Sequence, residues 1–147
     1  MISPKALRGA AAKKLAKISG AKIYENTVIE SFTAPCFFVE IPKYSCVLFK
    51  DGAAEVTTEI QITYFPPIAA GERVRSDKAT LCMMGKIAKE FCEIEAEDRV
   101  FTAEEVNFSF LGENTDVLQA NIELGFLDDL GEEDEEAELI ENVEIEN

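Results

Sequence analysis

The chain contains no histidine and no tryptophan. The first absence removes the commonest general base at neutral pH and the usual nitrogen ligand of zinc. The four cysteines, Cys36, Cys46, Cys82 and Cys92, include no C-x-x-C pair. Zinc-site spacing is therefore missing, and each thiol is expected to stay reduced and act as a small hydrophobe beside its apolar neighbours. Neither G-x-S-x-G nor G-x-G-x-x-G occurs, and Gly85-Lys86 lacks the first glycine and the Ser or Thr of a phosphate-binding loop. The acidic run Glu132 to Glu136 has no calcium-loop spacing. No catalytic residue, cofactor or metal site is expected.

Positive charge is also scarce. Fourteen Lys and Arg stand against 29 Asp and Glu, a net charge of −15. A surface so acidic is ill suited to displacing counterions from nucleic acid or to docking on anionic lipid. No apolar run nears the ~20 residues of a membrane span, and the alanine-rich start is broken by lysines, unlike a secretory signal. A cytosolic site of synthesis and no membrane partner are expected.

What is present is patterned. Ser3 and Pro4 make a helix start, with Ile2 and Leu7 at the two staple positions. Leu7, Ala11, Leu15 and Ile18 form one stripe, Lys13, Lys14 and Lys17 lie off it, and Gly20 is the expected stop. Short strands are expected at Ala21 to Glu25 and Cys36 to Ile41, the second interrupted by Pro42 as an edge or a bulge, with extended character resuming from Ser45 to Phe49. Asp51-Gly52 reads as a tight turn. From Ala54 to Phe65 alternation is strict: Val56, Thr58, Ile60, Ile62 and Tyr64 on one face, and Thr57, Glu59, Gln61 and Thr63 on the other. A second helix is expected over Val74 to Cys92, with Leu81, Met84, Ala88 and Phe91 as its buried stripe and Ile87 beside them. A short hairpin around Glu97-Asp98 follows, then an antiparallel pair built on Val106 to Phe110 and Leu118 to Phe126.

These elements predict an α+β fold, a single antiparallel twisted sheet with two α-helices packed on one face. Residues 1–130 form that domain and 131–147 an acidic C-terminal arm, in which Leu139, Ile140, Val143 and Ile145 return in partly alternating order. Charge is polarised along the chain. Residues 1–24 hold six bases and no acid, and residues 128–147 hold eleven acids and no base. Such polarity suits head-to-tail association of copies. Three contact surfaces are therefore expected: the polar strand face at Glu59, Gln61 and Thr63, the basic helix face at Lys13, Lys14 and Lys17, and the arm at Leu139, Ile140, Val143 and Ile145, the last pairing onto a neighbour's exposed edge.

Several segments resemble the tail terminator family of phages and prophages of Gram-positive bacteria. They are Ile23-Tyr24-Glu25, Pro35-Cys36-Phe37-Phe38-Val39, Ile62-Thr63-Tyr64-Phe65-Pro66 and Val106-Asn107-Phe108, together with the lysine-rich first helix and the acidic end. The likeness spans about residues 5–130, and the chain departs from it between Tyr44 and Gly52. The resemblance implies a hexameric ring on the last ring of tail-tube subunits, which stops growth of the tube, offers a surface to the head–tail connector and, in contractile particles, meets the sheath. It implies a place in the virion tail, assembled in the host cytoplasm, with DNA crossing the ring without specific binding and no catalytic residue. A head–tail neck or stopper protein, binding on the portal side, is the alternative.

Overall fold

The chain is described by a computed structural model over residues 2–25, 33–68, 77–112 and 116–129. Its first helix, α1 (Pro4–Ile18), begins where the sequence says it should: Ser3 Oγ accepts from the Ala6 N–H at 3.1 Å, which satisfies one of the donors a helix start leaves open. Leu7, Ala11 and Leu15 are buried, and so is Ile2 before the cap. The helix stops at Ile18 because Ser19 turns extended, one residue ahead of the expected Gly20.

Six strands follow in one sheet, ordered β1-β2-β3-β6-β5-β4. They are β1 (Lys22–Tyr24), β2 (Cys36–Leu48), β3 (Ala53–Phe65), β4 (Glu93–Ala96), β5 (Arg99–Leu111) and β6 (Val117–Asp129). The sheet is mixed, which corrects the purely antiparallel expectation: β1 runs parallel to β2, Lys22 beside Cys36 and Tyr24 beside Phe38. The chain between Tyr24 and Cys36 is long enough to cross back to the same end of the sheet, which a tight hairpin cannot do.

Two strands are longer than their local patterns suggest. Pro42 does not end β2; the register slips between Glu40 and Lys43 as a bulge and the strand continues to Leu48. In β5 the short piece before Phe101 and the stretch from Val106 are one strand, with a bulge between Ala103 and Glu105. Gly52 takes φ +91° in the β2–β3 turn, a region open to glycine. Glu97 and Asp98 both take positive φ between β4 and β5, the conformation a two-residue hairpin needs.

The second helix, α2 (Asp77–Glu90), is rotated from its expected phase. Thr80, Met83, Ile87 and Phe91 are buried, whereas Leu81 is 49% exposed and Ala88 is exposed. Its expected start at Val74 lies outside the described residues. Both helices share one core with a single sheet face, built from Phe37, Val39, Ile60, Ile62, Leu118 and Ile122 among others. The α+β architecture with helices against one face is as expected.

Candidate functional site

The strand alternation that buries one face of the sheet leaves the other open, and the register turns its side chains into cross-strand rows. Lys43, Glu59, Glu123 and Glu105 form one row over β2, β3, β6 and β5. Glu40, Gln61, Asn121 and Asn107 form the next, and Thr63, Gln119 and Ser109 another. The expected residues Glu59, Gln61 and Thr63 therefore sit at the centre of a polar surface four strands wide.

The bulge in β5 enriches that surface in acid. Glu104 is the extra residue there, and its carboxylate lies in the space above Gly125, where a Cβ would collide with it. Gly125 pairs with Thr57 of the open face, so Glu104 and Glu105 both point to the side that carries Glu59 and Glu123. Local alternation places only one of them there; the bulge is a tertiary event and had no sequence signal of its own. Gln61 Nε2 donates to Glu40 Oε1 at 2.9 Å. Asn121 Oδ1 is buried without a hydrogen-bond partner among the described residues. At one corner the face becomes apolar, where Tyr24 stacks on Phe38 with centroids 5.1 Å apart and Phe38 meets Phe65 edge-on at 5.7 Å.

The basic face of α1 is not an isolated patch. Lys13, Lys14 and Lys17 line a groove of about 310 Å³ together with Glu95, Glu97 and Asp98 of the β4–β5 hairpin. Acids from its own chain already balance these lysines in part, so this surface is less free for a neighbour than the sequence implies. Leu139, Ile140, Val143 and Ile145 lie outside the described residues.

A third feature, which no sequence pattern announced, holds the start of α1 to the end of β6. The Asp128 carboxylate accepts from the Ile2 N–H at 2.8 Å and from Arg99 Nη1 at 2.8 Å. Tyr44 Oη donates to the Ile2 carbonyl at 2.6 Å. Arg99 Cζ also lies 4.8 Å from the Phe101 ring centroid. Burial alone raises the Asp128 carboxyl, but donation from the Ile2 and Asp129 N–H groups and from Arg99 outweighs it and holds the group below its ordinary value. Burial, then the neighbouring Cys46 and Asp128, push the Tyr44 phenol up against the opposing influence of Arg99, so it stays a donor at neutral pH.

Among the described residues no group of His, Cys, Asp and Glu is placed to hold a metal ion, and no helix is long and apolar enough to cross a membrane. The described residues offer a broad polar face with charged cross-strand rows. A family model described as phage tail terminator protein matches residues 7–138. No curated protein matches the chain. A chain from the virion of a native gene transfer agent particle is similar in structure, with 12% sequence identity, a TM-score of 0.49, and coverage of 82% of this chain and 92% of that one.

Proposed function

The chain belongs to the phage tail terminator family, and from that premise we propose that copies of it form a ring, a hexamer, capping the head-proximal end of a phage tail or tail-like particle. The ring stops growth of the tube, meets the sheath where the tail is contractile, and presents its other side to the head–tail connector. The part played is structural, not catalytic, and it is played in the virion tail after assembly in the host cytoplasm. The observation that carries this reading is the family match over nearly the whole described domain.

The open sheet face supports a lumen-lining role. One face is covered by both helices and the other is wet; in this reading the wet face turns inward, towards whatever crosses the ring. Its glutamates at positions 59, 104, 105 and 123 outnumber Lys43. A lumen of that sign repels phosphate and lets a duplex slide without being held.

The experiment is to add the purified chain to polymerising tail-tube protein and view the product by electron microscopy. Tubes of limited length bearing a ring at one end are the expected outcome. Tubes of unchanged length and bare ends would sink the reading.

A further inference from the structure

Charge is segregated between the two sides of the molecule. The open sheet face carries Glu59, Glu104, Glu105 and Glu123 against Lys43. The helices on the other side have the opposite sign. There is no acid anywhere in α1, and its Lys5, Lys13 and Lys17 are exposed, as are Lys78, Lys86 and Lys89 of α2. Lys5, Gly9, Lys13 and Lys17 follow one another four apart, which sets them along one side of α1. Arg8 has a charged partner, Glu25 Oε1 at 3.3 Å from its Nε. Glu95, Glu97 and Asp98 stand across the groove from Lys13, Lys14 and Lys17, yet among the described residues no ion pair joins them to these lysines.

The chain delivers acid to this place. β6 ends at Asp129, and Asp128 accepts from the Ile2 N–H at 2.8 Å, so residues 130–147 leave the sheet beside the first turn of α1. Residues 131–147 carry nine acids and no base, five of them in the run Glu132 to Glu136. A rise of ~1.5 Å per residue puts Lys13 ~17 Å and Lys17 ~23 Å along the helix from Ile2. At up to ~3.3 Å per residue, Glu132 to Glu136 reach ~13 to ~26 Å from Asp128, which matches that span. The repeats agree as well. Lysines four apart on a helix recur every ~6 Å, and alternate residues of an extended chain every ~6.6 Å. An arm tethered this close is present at an effective concentration of about millimolar, which a neighbour's arm or free nucleic acid has to exceed.

We propose that the acidic arm of each chain docks on its own α1, the run Glu132 to Glu136 lying against Lys5, Lys13 and Lys17, so that a free copy offers no basic helix face to nucleic acid or to the glutamate rows of another copy. This does not rest on the ring reading. The test uses the full chain, prepared with ¹⁴N and with ¹⁵N and mixed in equal amounts. A carbodiimide, which joins carboxylates to amines in direct contact, is added and the products are read by mass spectrometry. Links from Lys5, Lys13 or Lys17 to the run Glu132 to Glu136 are expected within chains of one label, falling at least about fivefold between about 50 and about 500 mM salt. A second measurement is the acetylation rate of each lysine in a variant combining Glu132→Gln, Glu133→Gln, Asp134→Asn, Glu135→Gln and Glu136→Gln. Lys13 and Lys17 should react at least about threefold faster than in the wild type, with exposed Lys50 and the circular dichroism unchanged. Links that join differently labelled chains as often as like ones give this face to a neighbour's arm and overturn the proposal. Absence of any link between the run and α1, or equal acetylation of Lys13 and Lys17 in the two proteins, overturns it too.

Discussion

At the scale of single residues, Asp128 is the position where one carboxylate joins distant parts of the chain. It ties the start of α1, through the Ile2 N–H, to the end of β6 and to Arg99 of β5. Its side chain is 7% exposed while that of Arg99 is 41% exposed, so the backbone donors carry more of its worth than the screened ion pair does. Asp128→Asn should lower stability by about 1–3 kcal/mol, measured by urea unfolding. The pH dependence has a definite sign. The carboxyl is held down in the folded state, so its contribution is complete above the ordinary aspartate range and is lost as pH falls from there through the lowered folded value. The difference between wild type and Asp128→Asn should therefore shrink on acidification below about pH 4. A difference that holds constant down to about pH 2 would mean that the Asp128 carboxylate is not what stabilises this junction.

At the scale of elements, periodicity located both helices and named the buried side of α1 correctly, because Leu7, Ala11 and Leu15 form an unambiguous stripe beside charged residues. It mis-phased α2. Apolar residues there are spread around the helix, with Leu81, Met83, Met84 and Ile87 all available, so composition alone does not choose a face. The sheet chooses it: Thr80 is accepted as a buried polar residue while Leu81 turns to solvent. The two phases differ in a measurable way. Ile87→Ala should cost about 2–5 kcal/mol, and Leu81→Ala less than about 0.5 kcal/mol, in thermal or urea unfolding. Comparable losses at both would restore the expected phase. The strand faces of β3 and β6 were legible throughout, since period two admits one reading once one face is apolar. Pro42 signalled an edge or a bulge, and the register shift beside it is the bulge; the bulge at Glu104 was not legible, because it depends on where the partner strand's hydrogen bonds fall.

At the scale of the whole molecule, part of the acid has a place in the fold: Glu40, Glu59, Glu104, Glu105 and Glu123 lie on the open face, and Glu95, Glu97 and Asp98 lie across the groove from the lysines of α1. If the open face lines a passage for DNA, reversing its sign should create binding where there is none. Glu59→Lys combined with Glu123→Lys should retain duplex DNA at about 50 mM salt and release it steeply by about 200 mM, as read by filter binding. Particles carrying that variant should eject their genome more slowly. Ejection at the wild-type rate would mean that these rows do not face the passage.

The sequence by itself determined the α+β class, the start of α1, the two faces of β3 and β6, and the tail terminator resemblance that the family match bears out. Those features rest on capping chemistry and side-chain alternation, which act between residues close in the chain. Tertiary structure alone decided the parallel pairing of β1, the phase of α2, the bulge that doubles the glutamates on β5, and the Asp128 junction between the start of α1 and the end of β6. Each depends on which distant strand or backbone donor arrives beside a residue, and no local pattern specifies that neighbour.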